Sequence, residues 1–326
     1  MKNFSWQQSQ PILCAAPLHG ITNSSQRRIF KKFGADVVFT EMVSSMGLQY
    51  QNKKTINKTY FTKYEKPIII QVFGHTIPEI VSVAQSLEKA GADGLDFNCG
   101  CPARSMLASG NGGKLLLEPD KLINILAALK KSVSIPVSLK TRIGYDQKLP
   151  PSFYQKIVQE SQIDCLILHG RTVKQQYTGQ GDWEHIRQIS QKLSIPVIGN
   201  GDITNHLQAI EKIKKFTPCG IMIGRGALGQ PWIFRQIKKS LSSQKIITKI
   251  NIKKIRQIIL FHTNSLIKEL SKKSSHHQHS PETQALIQMR KHFGWYIKNI
   301  PHATAIRQQL YQCQTLSDLT NILDQL

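Results

Sequence analysis

Residues 196–226 read PVIGNGDITNHLQAIEKIKKFTPCGIMIGRG. Two short apolar runs, PVIGNGD (196–202) and GIMIGRG (220–226), bracket a helical pattern. Neither run alternates apolar with polar residues; each is continuous, as a strand covered on both faces must be. The same unit recurs upstream, in PILCAAP (11–17), DVVFTEM (36–42), PIIIQVFG (67–74), GLDFNCG (94–100), PVSLKTRIG (136–144) and CLILHG (165–170). Helical stretches separate them, such as TIPEIVSVAQSLEKAGA, with Thr76 as N-cap and Pro78 in the first turn. Eight strand–helix units in about 230 residues predict an α/β fold, a (β/α)8 TIM barrel over residues 1–239. A doubly wound sheet is the runner-up, but it would rarely need eight parallel strands.

The strand ends carry Pro17, Glu41, Gln71, Asn98, Lys140, His169, Asn200 with Asp202, and Arg225. In a barrel these ends meet on one rim, where active sites lie. IGNGDI and IGRGAL close the seventh and eighth strands, the positions where barrels commonly hold a phosphate. Their glycines let backbone N–H groups approach phosphate oxygens, and Arg225 adds a charged fork. Lys140, inside SLKTRIG, faces the mouth. A lysine there suits a Schiff base, or the N1/C2-carbonyl edge of a flavin, whose reduced ring it would stabilise. Gln71 supplies an amide that suits a flavin's polar rim. Spacing alone leaves both chemistries open.

Beyond Trp232 the pattern becomes helical only. NIKKIRQIILFHTNSLIKEL places Ile255, Ile258, Ile259, His262 and Leu266 on one face, with Asn251 as N-cap. Ser280, Pro281 and Glu282 open another helix, with Leu286, Met289, Phe293 and Ile297 apolar and Arg290, Lys291 and Lys298 facing outward. Residues 240–326 are expected to form a small all-helical domain. Between these helices SKKSSHHQHSPE reads as a polar linker, and His276, His277 and His279 as loop residues rather than metal ligands.

Lysine and arginine total 43 against 20 aspartates and glutamates, a net charge of +23. From Pro231 onward the balance is 15 to 4, so the helical tail carries about twice the charge density of the barrel. This favours a polyanionic partner, a nucleic acid or an anionic membrane surface. The six cysteines include no CxxC pair, which argues against structural zinc, and a chain of 326 residues needs no disulfide framework. Free thiols are expected, and no metal. No apolar run has the length of a membrane span and MKNFSWQQSQP lacks a signal peptide's apolar core, so the expected setting is cytoplasmic.

AAPLHGIT, DFNCGCPAR, LKTRIGY, LHGRT, PVIGNGDI, IGRGALGQPWIF and RKHFGWY together resemble the tRNA-dihydrouridine synthases, and most nearly their bacterial B-type subfamily. The resemblance runs from about Pro11 to about Ile300, in family order and spacing. It implies an FMN-dependent enzyme that uses NADPH to reduce the C5–C6 double bond of selected tRNA uridines, without a membrane or a stable protein partner. FMN would contact Pro17, Leu18, His19, Gln71, Lys140 and His169, and its phosphate Asn200, Gly201, Asp202, Gly224 and Arg225. Asn98 and Arg171 would face the uracil, while Arg290, Lys291 and Lys298 would meet tRNA phosphates. Cys101 would be the acid that protonates C5. An ordinary thiol, with a pKa of about 8.5, is mostly protonated near neutrality and can serve as a donor. Cys99 stands where the family usually has a bulky apolar residue and is read as packing. His19 and Lys114 also depart from the family pattern, beside the flavin and in the loop after Cys101.

Overall fold

The computed structural model describes residues 4–242, 244, 251–272 and 279–326. Eight parallel strands close on themselves: β1 (Ile12–Ala15), β2 (Val37–Phe39), β3 (Ile68–Phe73), β4 (Gly94–Cys99), β5 (Val137–Arg142), β6 (Cys165–His169), β7 (Val197–Asn200) and β8 (Gly220–Ile223). The barrel shuts where Ile12 of β1 pairs with Gly220 of β8, and where Val38 of β2 pairs with Ile68 of β3. A two-residue strand, Val43–Ser44, lies against the end of β3.

Side chains of a strand alternate between its faces. Leu95, Phe97 and Cys99 of β4 pack into the layer between barrel and helices, with Ile68, Ile70 and Val72 of β3 and Val137 and Leu139 of β5. The opposite parity fills the interior. At its closed end are Trp6, Ile12, Cys14, Phe39, Ile167 and Met222. Toward the carboxyl ends that parity turns polar. The outward face is apolar because helices cover it, and the inward face turns polar toward the mouth; β1 (ILCA), β2 (VVF) and β8 (GIMI) therefore read as continuous apolar runs, whereas β5 (VSLKTR) alternates.

This parity separates the two cysteines. Cys99 is fully buried among apolar side chains, and burial pushes its thiol up to about 12. β4 ends at Cys99, and Gly100 turns the chain so that Cys101 lines the mouth. The two side chains thus do not share a face, as a continuing strand would require. All six cysteines are free thiols.

Thr76 occupies the expected N-cap, but its hydroxyl makes no capping hydrogen bond; Asn251 and Ser280 do cap, accepting from the N–H groups of Lys254 and Thr283. The helix Ile233–Leu241 still packs on the barrel, through Ile233, Phe234 and Ile237. Helices Ile252–Lys272, Pro281–Tyr296, Ala303–Gln312 and Leu316–Asp324 follow. Their core holds Ile259, Leu266, Met289, Phe293 and Leu319. It also takes in Ile29 of the barrel helix Ser24–Lys32 and Phe33, the C-cap of that helix, which joins the two regions through buried apolar surface. No described helix is long and apolar enough to cross a membrane. His276 and His277 lie outside the described residues, and among the described residues no three metal-binding side chains cluster.

Inside the helical region His262 and His292 stack edge to face, 4.6 Å between ring centroids, and His262 Nδ1 lies 3.1 Å from the Tyr296 hydroxyl. Neither Nε2 has a hydrogen-bond partner. Burial, then the Lys291 ammonium, pushes His262 down to about 3, and His292 falls for the same reasons together with His262. The folded value lies below the unfolded one, so as pH falls the unfolded chain takes up protons first. Stability is intact above about pH 6.5 and is lost as pH falls toward the folded value. His262 alone then costs about 2 kcal/mol at pH 5. In urea titrations, the stability difference between wild type and His262→Leu should shift by about that amount between pH 7 and pH 5. A difference constant across that range would mean that His262 is not held neutral. Titrating groups away from the His262–His292 pair cancel in the comparison.

Candidate active site at the barrel mouth

A cavity of about 1220 Å³ opens at the carboxyl ends of the strands. Pro17, Leu18 and His19 line it from the end of β1, Gln71 and Asn98 from β3 and β4, and Cys101 from the turn after β4. Lys140 of β5 and His169 of β6 enter from the next strands, with Arg171 just beyond. Asn200, Gly201, Asp202, Gly224 and Arg225 complete the wall at β7 and β8. Register explains the convergence, since Gln71 pairs with Asp96, Asn98 with Lys140 and His169 with Asn200.

Of the expected site residues, only Arg290 and Lys291 lie outside this lining; Lys298 belongs to it, with Trp295 and Tyr296, so the cavity reaches from the barrel to the helical region. Arg290 is exposed. The Lys291 ammonium instead donates to the Gly20 carbonyl at the barrel rim, and burial lowers its pKa. His19 is largely exposed, with Nδ1 3.8 Å from Glu41, whose carboxylate also accepts from the Gly20 N–H. Lys114 sits above the Tyr145 ring, 5.8 Å from its centroid.

A chain of hydrogen bonds sets the floor. Ser138 Oγ donates to Asp96 at 2.6 Å, Gln71 Nε2 donates to the other Asp96 oxygen at 2.7 Å, and Asn98 Nδ2 donates to Gln71 Oε1 at 2.9 Å. Asn98 Oδ1 then accepts from the Cys101 N–H at 3.1 Å. The chain fixes both amides and positions the turn that carries Cys101. Beneath that turn, Gly112 has φ +58°, and a Cβ there would lie 2.8 Å from the Cys101 carbonyl. Only glycine suits both the conformation and the approach.

Burial pushes Asp96 up to about 7, held back by its Ser138 and Gln71 hydrogen bonds and the Lys140 ammonium. Lys140 moves the other way, lowered by burial to about 8 while Asp96 supports its charge. Burial, reinforced by Lys140, Arg142, Arg171 and Arg225, drives His169 down to about 2. The imidazole is therefore neutral at physiological pH. Arg171 Nη1 stands 3.4 Å from its Nε2.

Two polar groups are already engaged. Asp202 pairs with Arg171 at 2.9 Å and accepts from the Gly181 N–H at 2.6 Å, while Arg171 also donates to the carbonyls of Thr178 and Gly179. A carboxylate so occupied can meet an anion only through its backbone N–H.

Residues 14–326 match the family described as dihydrouridine synthase (Dus). The chain belongs to the dihydrouridine synthase family. It is 32% identical over 295 residues to a probable tRNA-dihydrouridine synthase of Rickettsia bellii, covering 90% of this chain and 87% of that one. It is 33% identical over 311 residues to tRNA-dihydrouridine synthase B of Pasteurella multocida, covering 94% and 90%. Among solved structures, histamine dehydrogenase from Rhizobium sp. 4-9 shares the fold at TM-score 0.55 and 12% identity, covering 77% of this chain and 48% of that one. A 2-naphthoyl-CoA reductase matches at TM-score 0.52 and 12% identity, covering 71% and 50%. This chain spans about half the length of those two proteins. Family membership makes it a flavin-dependent oxidoreductase.

Three further residues matter to the mouth. Asp96 lies beneath Gln71, as described. Arg142 lines the cavity, donates to the carbonyls of Gly100, Thr172 and Gln176, and is lowered by burial to about 10, so it stays charged. Tyr177, half exposed, has the Arg225 guanidinium 4.5 Å and the Arg142 guanidinium 5.7 Å from its ring centroid. Arg142 was within reach of the sequence, because it stands two residues after Lys140 and shares its parity. Tyr177 carries no comparable signal.

Proposed function

We propose that the protein is an FMN-dependent tRNA-dihydrouridine synthase that reduces the C5–C6 double bond of specific tRNA uridines with NADPH. The observation that carries this reading is the meeting of Cys101, Lys140, His169 and Arg225 in one cavity of a dihydrouridine synthase barrel. The donor set fits a flavin phosphate. Four cations crowd a neutral imidazole, and the nearby Asp202 carboxylate is spent on Arg171 and Gly181. Gly201, at φ +131°, packs against the His169 ring, where a Cβ would come within 3.2 Å.

In this reading Pro17, Leu18, His19, Gln71, Lys140 and His169 hold the ring system. The backbone of Asn200, Gly201, Asp202 and Gly224, with the Arg225 guanidinium, holds the phosphate. Bound there and reduced by NADPH, FMN would supply the hydride for uracil C6. Cys101 supplies the proton at C5, and Asn98 and Arg171 orient the base. Lys140 places a buried positive charge beside developing negative charge, where a low-dielectric site makes it most effective. A uridine must leave its stack to reach the cavity, which costs a few kcal/mol. Phosphate contacts from Arg290, Lys291 and Lys298 offset that cost, although Lys291 must exchange its Gly20 carbonyl for a phosphate oxygen.

The purified protein should carry or take up FMN, be bleached by NADPH, and form dihydrouridine in an unmodified tRNA transcript but not in free uridine. Reduction of free uridine at a comparable rate would point to a small-molecule pyrimidine reductase. Binding of tRNA without any flavin would point to a non-catalytic binding protein. Dihydrouridine mapping in a deletion strain identifies the target positions.

A further inference from the structure

Between the end of β2 and the start of β3 the chain connects through two short helices, Ser45–Gln49 and Lys53–Thr59, and a 3-10 turn, Lys63–Glu65. From Met42 to Tyr64 it contains Lys53, Lys54, Lys58 and Lys63 and no aspartate or glutamate. Among the described residues, four of the ten exposed large hydrophobic side chains also fall here: Met46 (56% exposed), Tyr50 (75%), Ile56 (42%) and Tyr64 (65%). An apolar side chain alone on a surface is ordinary, but cations interleaved with exposed aromatic rings on one segment are the chemistry of a nucleic-acid strand contact.

The segment is anchored rather than loose. Arg27 and Glu65, both fully buried, pair at 2.7 Å, and Arg27 also donates to the Tyr60 and Thr22 carbonyls at 2.6 Å. Ser44 and Asn52 cap the two helices. The segment begins at the cavity, which Met42 lines. At its far end it meets the helical region, where the Arg28 guanidinium lies 5.7 Å from the Tyr64 centroid and 5.8 Å from that of Phe261. The Lys32 ammonium is 3.9 Å from the Phe261 centroid. A basic and aromatic strip therefore runs from the barrel mouth to the helix Ile252–Lys272.

We infer that the Met42–Tyr64 connection is a second RNA-docking surface, on the barrel itself, where the lysines meet phosphates and Tyr50 and Tyr64 stack on unpaired or terminal bases. The inference rests on the tRNA reading above. A second copy of the chain is disfavoured as the occupant, because a two-fold contact through this face would oppose four lysines to four lysines with no acid between them.

The test uses the full chain, an unmodified tRNA transcript, and two variants: Lys53→Gln/Lys54→Gln/Lys63→Gln, and Tyr50→Ala/Tyr64→Ala. Thermal melts confirm folding, since none of these side chains is buried. The lysine variant should bind the transcript about tenfold or more weakly at 150 mM salt, with a log Kd against log salt slope shallower by about 2. The tyrosine variant should lose about tenfold with the slope unchanged. In both, KM for tRNA rises while kcat is kept. A wild type that neither binds nor reduces tRNA overturns the functional reading itself. A wild type that does both, with variants binding within twofold and at the wild-type slope, overturns the docking surface alone. So does a dimer that the tyrosine variant dissociates while tRNA affinity holds.

Discussion

Replacing Cys101 by alanine should slow dihydrouridine formation by about 10²–10⁴-fold, the contribution of a positioned general acid, while leaving flavin and tRNA binding close to wild type. Binding is expected to survive because the turn is held by backbone groups: the Cys101 N–H on Asn98 Oδ1, and the Cys101 carbonyl on the Gly113 N–H at 3.1 Å. Neither contact uses the sulfur. The loss should therefore appear in single-turnover reduction of a tRNA transcript, with flavin bleaching by NADPH retained, because the thiol acts only on the uridine. Cys101→Ser, which keeps a weaker acid at the same place, should recover part of the rate. Cys99→Ala is the matched control. Its side chain faces the helix layer, so the rate should stay within about threefold and the cost should be one of stability, set by the small cavity left. A Cys101→Ala enzyme turning over at the wild-type rate would remove the thiol from the chemistry.

The barrel was legible because its strands announce themselves twice, as continuous apolar runs and as runs that end on polar residues. Both follow from one arrangement, helices outside and a polar mouth at the carboxyl ends. The place of Cys101 was legible from its motif, but the opposite facing of Cys99 was not. That depends on where β4 stops, and one residue of strand length changes the side to which every later residue points. Asp96 was illegible for a different reason. In GLDFNCG an acid in mid-strand has no visible partner, and its partners Gln71, Ser138 and Lys140 come from neighbouring strands 25 to 44 residues away. The Arg27–Glu65 pair, separated by 38 residues, is hidden in the same way. The connection after β2 is the converse case. Its alternation of lysine with tyrosine is present in YQNKKTINKTYFTKY, but only exposure distinguishes a docking surface from a packed one.

Lys140 and Asp96 support the second large prediction, because each sustains the other's charge in a site that penalises both. Lys140→Met should slow flavin reduction and uridine reduction together by about 10²–10³-fold, the effect of removing one preorganised charge from a site of this kind. It also strips Asp96 of the ammonium that holds its pKa down, so the carboxyl shifts further up and becomes neutral at pH 7. Asp96→Asn separates the two effects. Without the carboxylate, burial acts on Lys140 unopposed and its pKa falls below the present value of about 8. In the wild type, activity that needs the ammonium should decline as pH rises through about 8. In Asp96→Asn the same decline should set in at lower pH, with the rate restored toward wild type on acidification. Lys140→Met should show no such limb, since nothing remains to titrate. The measurement is the rate of flavin bleaching by NADPH between pH 6 and pH 9.5 for the three proteins. An alkaline limb unmoved by Asp96→Asn would assign the titration to another group and reduce Asp96 to a packing partner of Gln71.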